Sequence, residues 1–116
     1  MKTLKELKSI ASKYSYRVDW SEEDRVYVCS IAELPSALCH GSTHEKALNE
    51  GKAIALDILK ELNETGEPIP EPISLKKFSG KFVVRTTQDL HRRLALEAQE
   101  KGVSVNKLVN EKLAST

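Results

Sequence analysis

Lys81, Val83 and Arg85 occupy every second position of a short basic segment, with Phe82 and Val84 between them. In an extended chain the first three side chains share one face and the two apolar ones share the other. Arg85 can then bond a guanine through two hydrogen bonds, Lys81 a guanine or a phosphate, and Val83 a thymine methyl group. The spacing therefore predicts a strand that contacts base edges in the major groove of DNA.

Two short amphipathic helices are predicted after this strand, and they cannot cover its apolar face within one chain. The first carries Leu90, Leu94 and Ala98 on one side and stops at Gly102; the second has an apolar side formed by Val105, Leu108, Val109 and Leu113. If the same strand of a second chain pairs with it in antiparallel fashion, both apolar faces enter a joint core. The basic faces then remain outside, on a two-stranded ribbon that fits the major groove. The alternative is a solvated edge strand whose lysine discourages aggregation, but that role requires neither the second basic residue nor the helices.

Ser104, Val105 and Asn106 begin the last predicted helix. Ser104 is expected to be the N-cap, and the backbone N–H groups of Val105 and Asn106 can hold a phosphate at the helix N-terminus. The remaining basic helix residues are interpreted as solvated charges that add at most a sequence-independent attraction; these are Arg92, Arg93 and Lys107.

The composition divides the chain into an acidic body and a basic tail. Residues 1–75 hold nine lysines and arginines against thirteen aspartates and glutamates, a net charge of −4, whereas residues 76–116 hold nine against four, a net charge of +5. This asymmetry is expected when one part alone meets phosphate. The chain is 40% hydrophobic and 30% charged, without an apolar run that could cross a bilayer or a signal-peptide pattern, so a globular cytoplasmic protein is predicted. Cys29 and Cys39 are expected to be reduced and partly buried.

The first part of the chain changes its hydrophobic period from helix to strand. Apolar residues at helical spacing predict a helix from Leu4 to Tyr14; residues 14–20 and 25–31 alternate as two antiparallel strands around an acidic turn, and residues 37–40 can add an edge strand. Ser42 and Glu45 form a capping-box pattern ahead of a long helix, predicted at residues 43–63. Gly51 lies on the apolar stripe of that helix, where it allows close approach to the sheet.

These elements predict an α+β protein of two domains. Residues 1–72 form a three- or four-stranded antiparallel sheet with packed helices, residues 73–79 a linker, and residues 80–116 a ribbon-helix-helix dimerisation domain. The proline-rich segment before the linker is either an edge strand or a stiff spacer. The operator of a twofold dimer should be palindromic, whereas pairing of dimers into tetramers is left open.

The acidic and metal-binding side chains of the first domain do not form a recognisable site. Glu22, Glu23 and Asp24 are adjacent on a turn, where side chains diverge, and they do not converge on a metal pair as a nuclease requires. His40 and His44 are separated by Gly41 and Ser42, so they lack the spacing of a helical metal pair. No catalytic site, metal or cofactor is predicted. Trp20 and Tyr27 are interpreted as sheet packing and not as an RNA-stacking surface, because their surroundings are acidic.

The sequence as a whole resembles a known family. The segment Gly80-Lys81-Phe82-Val83-Val84-Arg85, with Gly102 and Ser104-Val105-Asn106 after it, resembles the ribbon-helix-helix tail found in part of the HicB antitoxin family. The first half resembles the other module of that family, through Leu34-Pro35, Gly41-Ser42-Thr43 and Ile69-Pro70-Glu71-Pro72.

The resemblance implies a non-catalytic antitoxin. Its N-terminal domain would be similar to a partial RNase H fold and would cover a small HicA-like toxin that cleaves mRNA. The tail dimer would repress the operon that encodes both proteins. Two alternatives remain: a ribbon-helix-helix regulator whose N-terminal domain only oligomerises or senses a ligand, and a nuclease.

Overall fold

The computed structural model describes residues 1–115, which form two compact units, the first at Met1–Phe78 and the second beginning at Ser79. The first unit contains helix α1 (Leu4–Ser12), strands β1 (Tyr16–Ser21), β2 (Val26–Ile31) and β3 (Leu38–Gly41), helix α2 (His44–Thr65) and a 3-10 turn at Ile73–Leu75. The second unit contains helices α3 (Gln88–Lys101) and α4 (Val105–Ala114). The prediction of an α+β protein is confirmed.

The sheet has the order β1-β2-β3, with both neighbouring pairs antiparallel. Tyr16 lies opposite Ile31, Val18 opposite Cys29, and Cys29 opposite Cys39. Because side chains alternate along a strand, these residues share the face that α1 and α2 cover. Within the described chain the sheet has three strands, so the proline-rich segment after α2 adds none.

The core of the first unit lies between the sheet and the two helices. Every fourth residue of α2 is buried there, at Ala47, Gly51, Ala55 and Leu59, and α1 contributes Leu7 and Ala11. This spacing places all six side chains on the inner faces of their helices. Burial also raises the pKa of Cys29 and Cys39, which keeps both thiols protonated.

Two predicted boundaries were wrong by one or two residues. Tyr14 is not part of β1: its N–H donates to the Ala11 carbonyl in the turn after α1, and its hydroxyl donates to the Pro70 carbonyl at 2.7 Å. The N-cap of α2 is Thr43 instead of Ser42, since the Thr43 hydroxyl accepts from the Lys46 N–H at 3.1 Å. The predicted capping box with Glu45 is therefore not formed.

Gly51 is a point of close approach between α2 and the sheet, as its position on the apolar stripe predicted. A Cβ atom at this residue would lie 2.5 Å from Cys29 Sγ and 3.4 Å from Cys29 Cβ. The shorter distance is far below van der Waals contact, and Cys29 is fully buried on the central strand. A larger residue at position 51 must therefore displace the helix or the thiol.

Gly51→Ala should lower the free energy of unfolding by about 1 kcal/mol, because overpacking costs about 1–3 kcal/mol and the gain in helix propensity returns about 1. Urea denaturation followed by the fluorescence of Trp20 would measure this loss. The matched control is Cys29→Ala, which removes the sulfur from the contact. In that background Gly51→Ala should be neutral or stabilising; an equal loss in both backgrounds would contradict the contact.

Glu33 fastens the chain after α2 to the first unit. Its carboxylate accepts hydrogen bonds from the Ser15 N–H at 2.8 Å and from the Ile73 N–H at 2.9 Å. Ser74 adds a bond from its hydroxyl to the Lys13 carbonyl at 3.0 Å. The first residues of the predicted 73–79 linker are thus bound to the end of α1 and the loop after β2. Burial alone would raise the pKa of Glu33, but the backbone N–H donors, among them those of Ser15 and Ile73, and the Ser15 hydroxyl together hold the pKa below its ordinary value.

Because the pKa of Glu33 is lower in the folded chain, its carboxylate stabilises the fold at neutral pH and loses that effect on protonation. Near pH 7, Glu33→Gln should reduce the free energy of unfolding by about 1 kcal/mol, as expected for a partly exposed charged acceptor. The difference from the wild type should shrink as the pH falls below about 4.3, the ordinary value for glutamate. Urea denaturation across this range measures it, with the exposed Glu64→Gln as the control. A difference independent of pH would contradict the assignment.

Candidate nucleic-acid interface

The second unit begins with a segment that has no strand neighbour. Residues 79–87 contain neither helix nor strand, so the strand predicted at residues 81–86 is not formed in the single chain. A β-ladder requires a second strand to exchange hydrogen bonds, and the described residues of this unit supply none. Phe82, Val83 and Val84 are 76%, 88% and 69% exposed. Three consecutive large apolar residues are therefore in contact with solvent.

Helices α3 and α4 follow, and their ends are well defined. The Thr87 hydroxyl accepts from the Leu90 N–H at 3.2 Å at the start of α3, and Gly102 ends that helix with a left-handed backbone. The Ser104 hydroxyl accepts from the Lys107 N–H at 3.0 Å, which confirms Ser104 as the N-cap of α4. Thr87 was not predicted as a cap, although a threonine three residues before an apolar position is a usual signal.

Only part of the predicted apolar face of the two helices is buried. Ala98 and Leu108 are 2% and 1% exposed and form the contact between α3 and α4. Leu90, Val105 and Leu113, which belong to the predicted apolar sides of the two helices, remain 37%, 36% and 59% exposed in the single chain. A helix pair of this size has too little core to enclose them.

These exposed side chains line two open grooves beside the segment that precedes α3. The larger has a volume of about 680 Å³ and is lined chiefly by apolar atoms from Val84, Leu90, Leu94, Val105, Val109 and Leu113. The second, of about 670 Å³, lies between residues 80–84 and the outer side of α4, and Phe82 and Asn110 contribute to it. An apolar groove beside an exposed apolar segment is a surface that gains free energy when it is covered.

The predicted DNA-contacting residues lie around these grooves. Lys81 and Asn106 are both at the rim of the second groove, Arg85 is at the rim of the first, and Val105 borders both. Val83 and Ser104 border neither groove. The basic side chains of Lys81 and Arg85 are exposed, and the described residues offer them no ion pair within 4.0 Å.

The N-terminus of α4 is where the sequence predicted a phosphate contact. Ser104 satisfies the Lys107 N–H, and the Ser104 carbonyl accepts from the Leu108 N–H at 3.0 Å. The N–H groups of Val105 and Asn106, the first two helical residues, have no acceptor within the helix itself. The sequence analysis did not include Asn110, whose side-chain amide donates to the Asn106 carbonyl at 2.9 Å. The two residues are four positions apart on the helix, and this spacing could have suggested the contact.

Other charges of the helices are engaged with each other. Arg93 pairs with Asp89 at 3.5 Å, and Glu97 accepts from Lys101 and Lys112 at 3.2 and 3.1 Å. The hydrogen bonds from these two lysines lower the pKa of Glu97. The pairs agree with the interpretation of these helix faces as solvated surface.

Comparison with known proteins addresses the same part of the chain. Residues 63–113 match the HicB family. The match begins near the end of α2, includes the basic segment and α3, and ends in α4, a little under half of the sequence. The chain is similar to that family over this part of its length. No curated protein and no solved structure matches the chain.

Two further properties concern the residues at positions 1–115. None of the helices is both long and apolar enough to cross a membrane. Three or more histidine, cysteine or acidic side chains do not come together anywhere in this range as a metal site would require.

Proposed function

We propose that this protein is a non-catalytic antitoxin of the HicB type with two activities. The first unit binds and neutralises a HicA-like toxin that cleaves mRNA. The second unit dimerises, binds palindromic operator DNA and represses the operon. The observation that carries the proposal is the exposure of Phe82 and Val84 beside an open apolar groove, directly before two short helices and within the HicB-matching residues.

A second copy of the same chain is the best cover for that groove. Antiparallel pairing of two 81–86 segments would satisfy their backbone N–H and carbonyl groups, which no strand satisfies in the single chain. The same pairing would turn Phe82 and Val84 of each chain toward the helices, where the grooves lie. Burying these side chains contributes roughly 1.5–3 kcal/mol each, which supports an obligate dimer.

The paired segments would present Lys81, Val83 and Arg85 to the DNA. Arg85 would bond guanine, Lys81 guanine or phosphate, and Val83 a thymine methyl group. The free N–H groups of Val105 and Asn106 would hold a phosphate on each side of the ribbon, fixing its position on the duplex. Two such half-sites related by the dimer axis give a palindromic operator.

We assign toxin binding to the first unit because its charge and its fold differ from those of the second unit. It contributes most of the acidic residues, and an RNA-cleaving protein needs a basic surface, so attraction between them would speed their encounter. The sheet and α2 give this unit a core of its own, which allows it to act independently of the tail.

Co-expression tests both activities together. The full chain should copurify with the HicA-like protein encoded beside its own gene, block that protein's RNA cleavage, and shift DNA from upstream of the operon in a gel assay. If the chain shifts the DNA but neither binds nor inhibits the toxin, the protein is instead a ribbon-helix-helix regulator. If the purified chain alone cleaves RNA in the presence of Mg²⁺ or Mn²⁺, the non-catalytic assignment is wrong.

A further inference from the structure

One corner of the first unit combines an exposed tryptophan and a half-buried tyrosine with a neighbouring carboxylate. Trp20, the only tryptophan of the chain, ends β1 and lies opposite Tyr27 on β2. The two rings meet edge to face with centroids 5.1 Å apart, and the Tyr27 ring lies 4.5 Å from His44. His44 is the first residue of α2, so the helix covers the sheet only as far as Tyr27. Trp20 lies beyond the helix and is 48% exposed. We call these three residues the aromatic corner.

The turn that follows β1 places the Glu22 carboxylate on the aromatic corner, and two further acidic residues come next in the sequence. Glu22 accepts a hydrogen bond from Trp20 Nε1 at 2.6 Å, which fixes the indole beside a carboxylate. Glu23 and Asp24 follow, while Arg25 lies 3.5 Å from Glu22 and offsets one of the three charges. A ring face with carboxylates at its edge attracts arginine and lysine side chains, both by cation–π contact and by ion pairing.

An RNA-binding surface has the complementary chemistry. It presents basic side chains to phosphates and flat apolar or guanidinium surfaces to bases. The aromatic corner presents aromatic rings, which resemble bases, and carboxylates, which resemble phosphates in charge, at the edge of a β-sheet. We infer that the aromatic corner of this chain docks on the RNA-binding surface of the toxin and excludes RNA from it. This inference rests on the proposed antitoxin function and names the part of the first unit that performs it.

RNA itself is the other partner that an exposed tryptophan can stack on. The carboxylates at positions 22–24 repel a phosphate backbone, so the structure favours the basic protein. Binding of a labelled single-stranded RNA to the chain alone would overturn the inference.

The single tryptophan gives a direct probe. The full chain is labelled with 5-fluorotryptophan, and its one 19F resonance is recorded while the unlabelled HicA-like protein, inactivated in its catalytic residue, is added. The resonance should shift and broaden as the complex forms, and a fluorescent single-stranded RNA bound to the toxin should be released over the same range of concentration. An unmoved resonance in a complex that gel filtration shows to be formed would overturn the inference.

Substitutions separate the corner from the rest of the acidic unit. Trp20→Ala and the double variant Glu22→Gln/Glu23→Gln should each weaken toxin binding roughly tenfold or more, as loss of a central interface anchor does. The double variant should also reduce the dependence of binding on salt. It alters exposed side chains only, so it remains informative if Trp20→Ala folds poorly.

The matched control is Glu61→Gln/Glu64→Gln, which removes the same charge near the end of α2. These residues lie about 26–30 Å along the helix from His44, at 1.5 Å per residue. The control should bind the toxin with nearly the wild-type affinity. If both double variants weaken toxin binding equally, only the overall charge of the unit matters and the inference is overturned. If the wild-type chain does not bind the toxin, the proposed function itself is overturned.

Discussion

The double variant Phe82→Asp/Val84→Asp should be monomeric and should lose operator binding altogether. Both side chains are largely exposed in the single chain, so replacing them does not disturb a core that the monomer possesses. In the proposed dimer they would be buried, and two carboxylates per chain would have to enter an apolar core, at a cost of several kcal/mol for each charge. Sedimentation velocity measures the oligomeric state, and a gel-shift assay measures DNA binding.

Val83→Asp is the matched control for this experiment, because it places the same carboxylate on the adjacent residue. Val83 borders neither groove and lies on the predicted DNA-facing side of the ribbon. This variant should remain dimeric but bind DNA less tightly, owing to repulsion from phosphates. If the double variant sediments as a dimer, the chains associate through another surface and the ribbon assignment is wrong.

Arg85→Ala should weaken binding to the native operator by about 1–3 kcal/mol and relax specificity at one base pair in each half-site. The reason is that a bidentate contact to guanine distinguishes that base from the other three. The measurement is a gel-shift or fluorescence titration on the native operator and on variants mutated at each position of one half-site. Normal binding of the native site would show that the ribbon does not contact the bases.

Lys107→Ala provides the comparison for Arg85. Its side chain is exposed near the start of α4, beside the N–H groups that the proposal assigns to a phosphate. This variant should weaken binding to all sequences alike and reduce the slope of affinity against salt by about one. Together the two variants separate base contacts from phosphate contacts.

Most of the fold of the first unit could be predicted because its signals are local. Alternation of apolar residues located the strands, and the spacing of three and four located α2, including the role of Gly51. The choice of Ser42 as the N-cap was wrong by one residue, since the neighbouring Thr43 also carries a hydroxyl that can cap a helix. The close packing of Gly41 against the backbone of Ala47, a tertiary contact, accompanies the choice of Thr43. The capping box of Thr3 and Glu6 at α1 follows a recognisable pattern and could have been predicted.

The second unit could be predicted only in part, because not all of its signals are local. The sequence pattern correctly located two helices and the Ser104 cap. The strand predicted at residues 81–86 is not formed in the single chain, and in the proposed dimer it would require the second chain. From the sequence, Trp20 and Tyr27 were interpreted as sheet packing. Alternation placed Trp20 on the covered face of the sheet, but it could not show that α2 begins too late to reach it.

The contact between Gly51 and Cys29 has a consequence for the evolution of this protein. A Cβ at position 51 and a sulfur at position 29 cannot occupy the same space, so each residue restricts the substitutions that selection can accept at the other. Among orthologues the two sites should change in concert, with alanine or serine appearing at 51 only in lineages where 29 has already become smaller. An alignment in which they vary independently would show that the helix can shift away from the sheet at little cost.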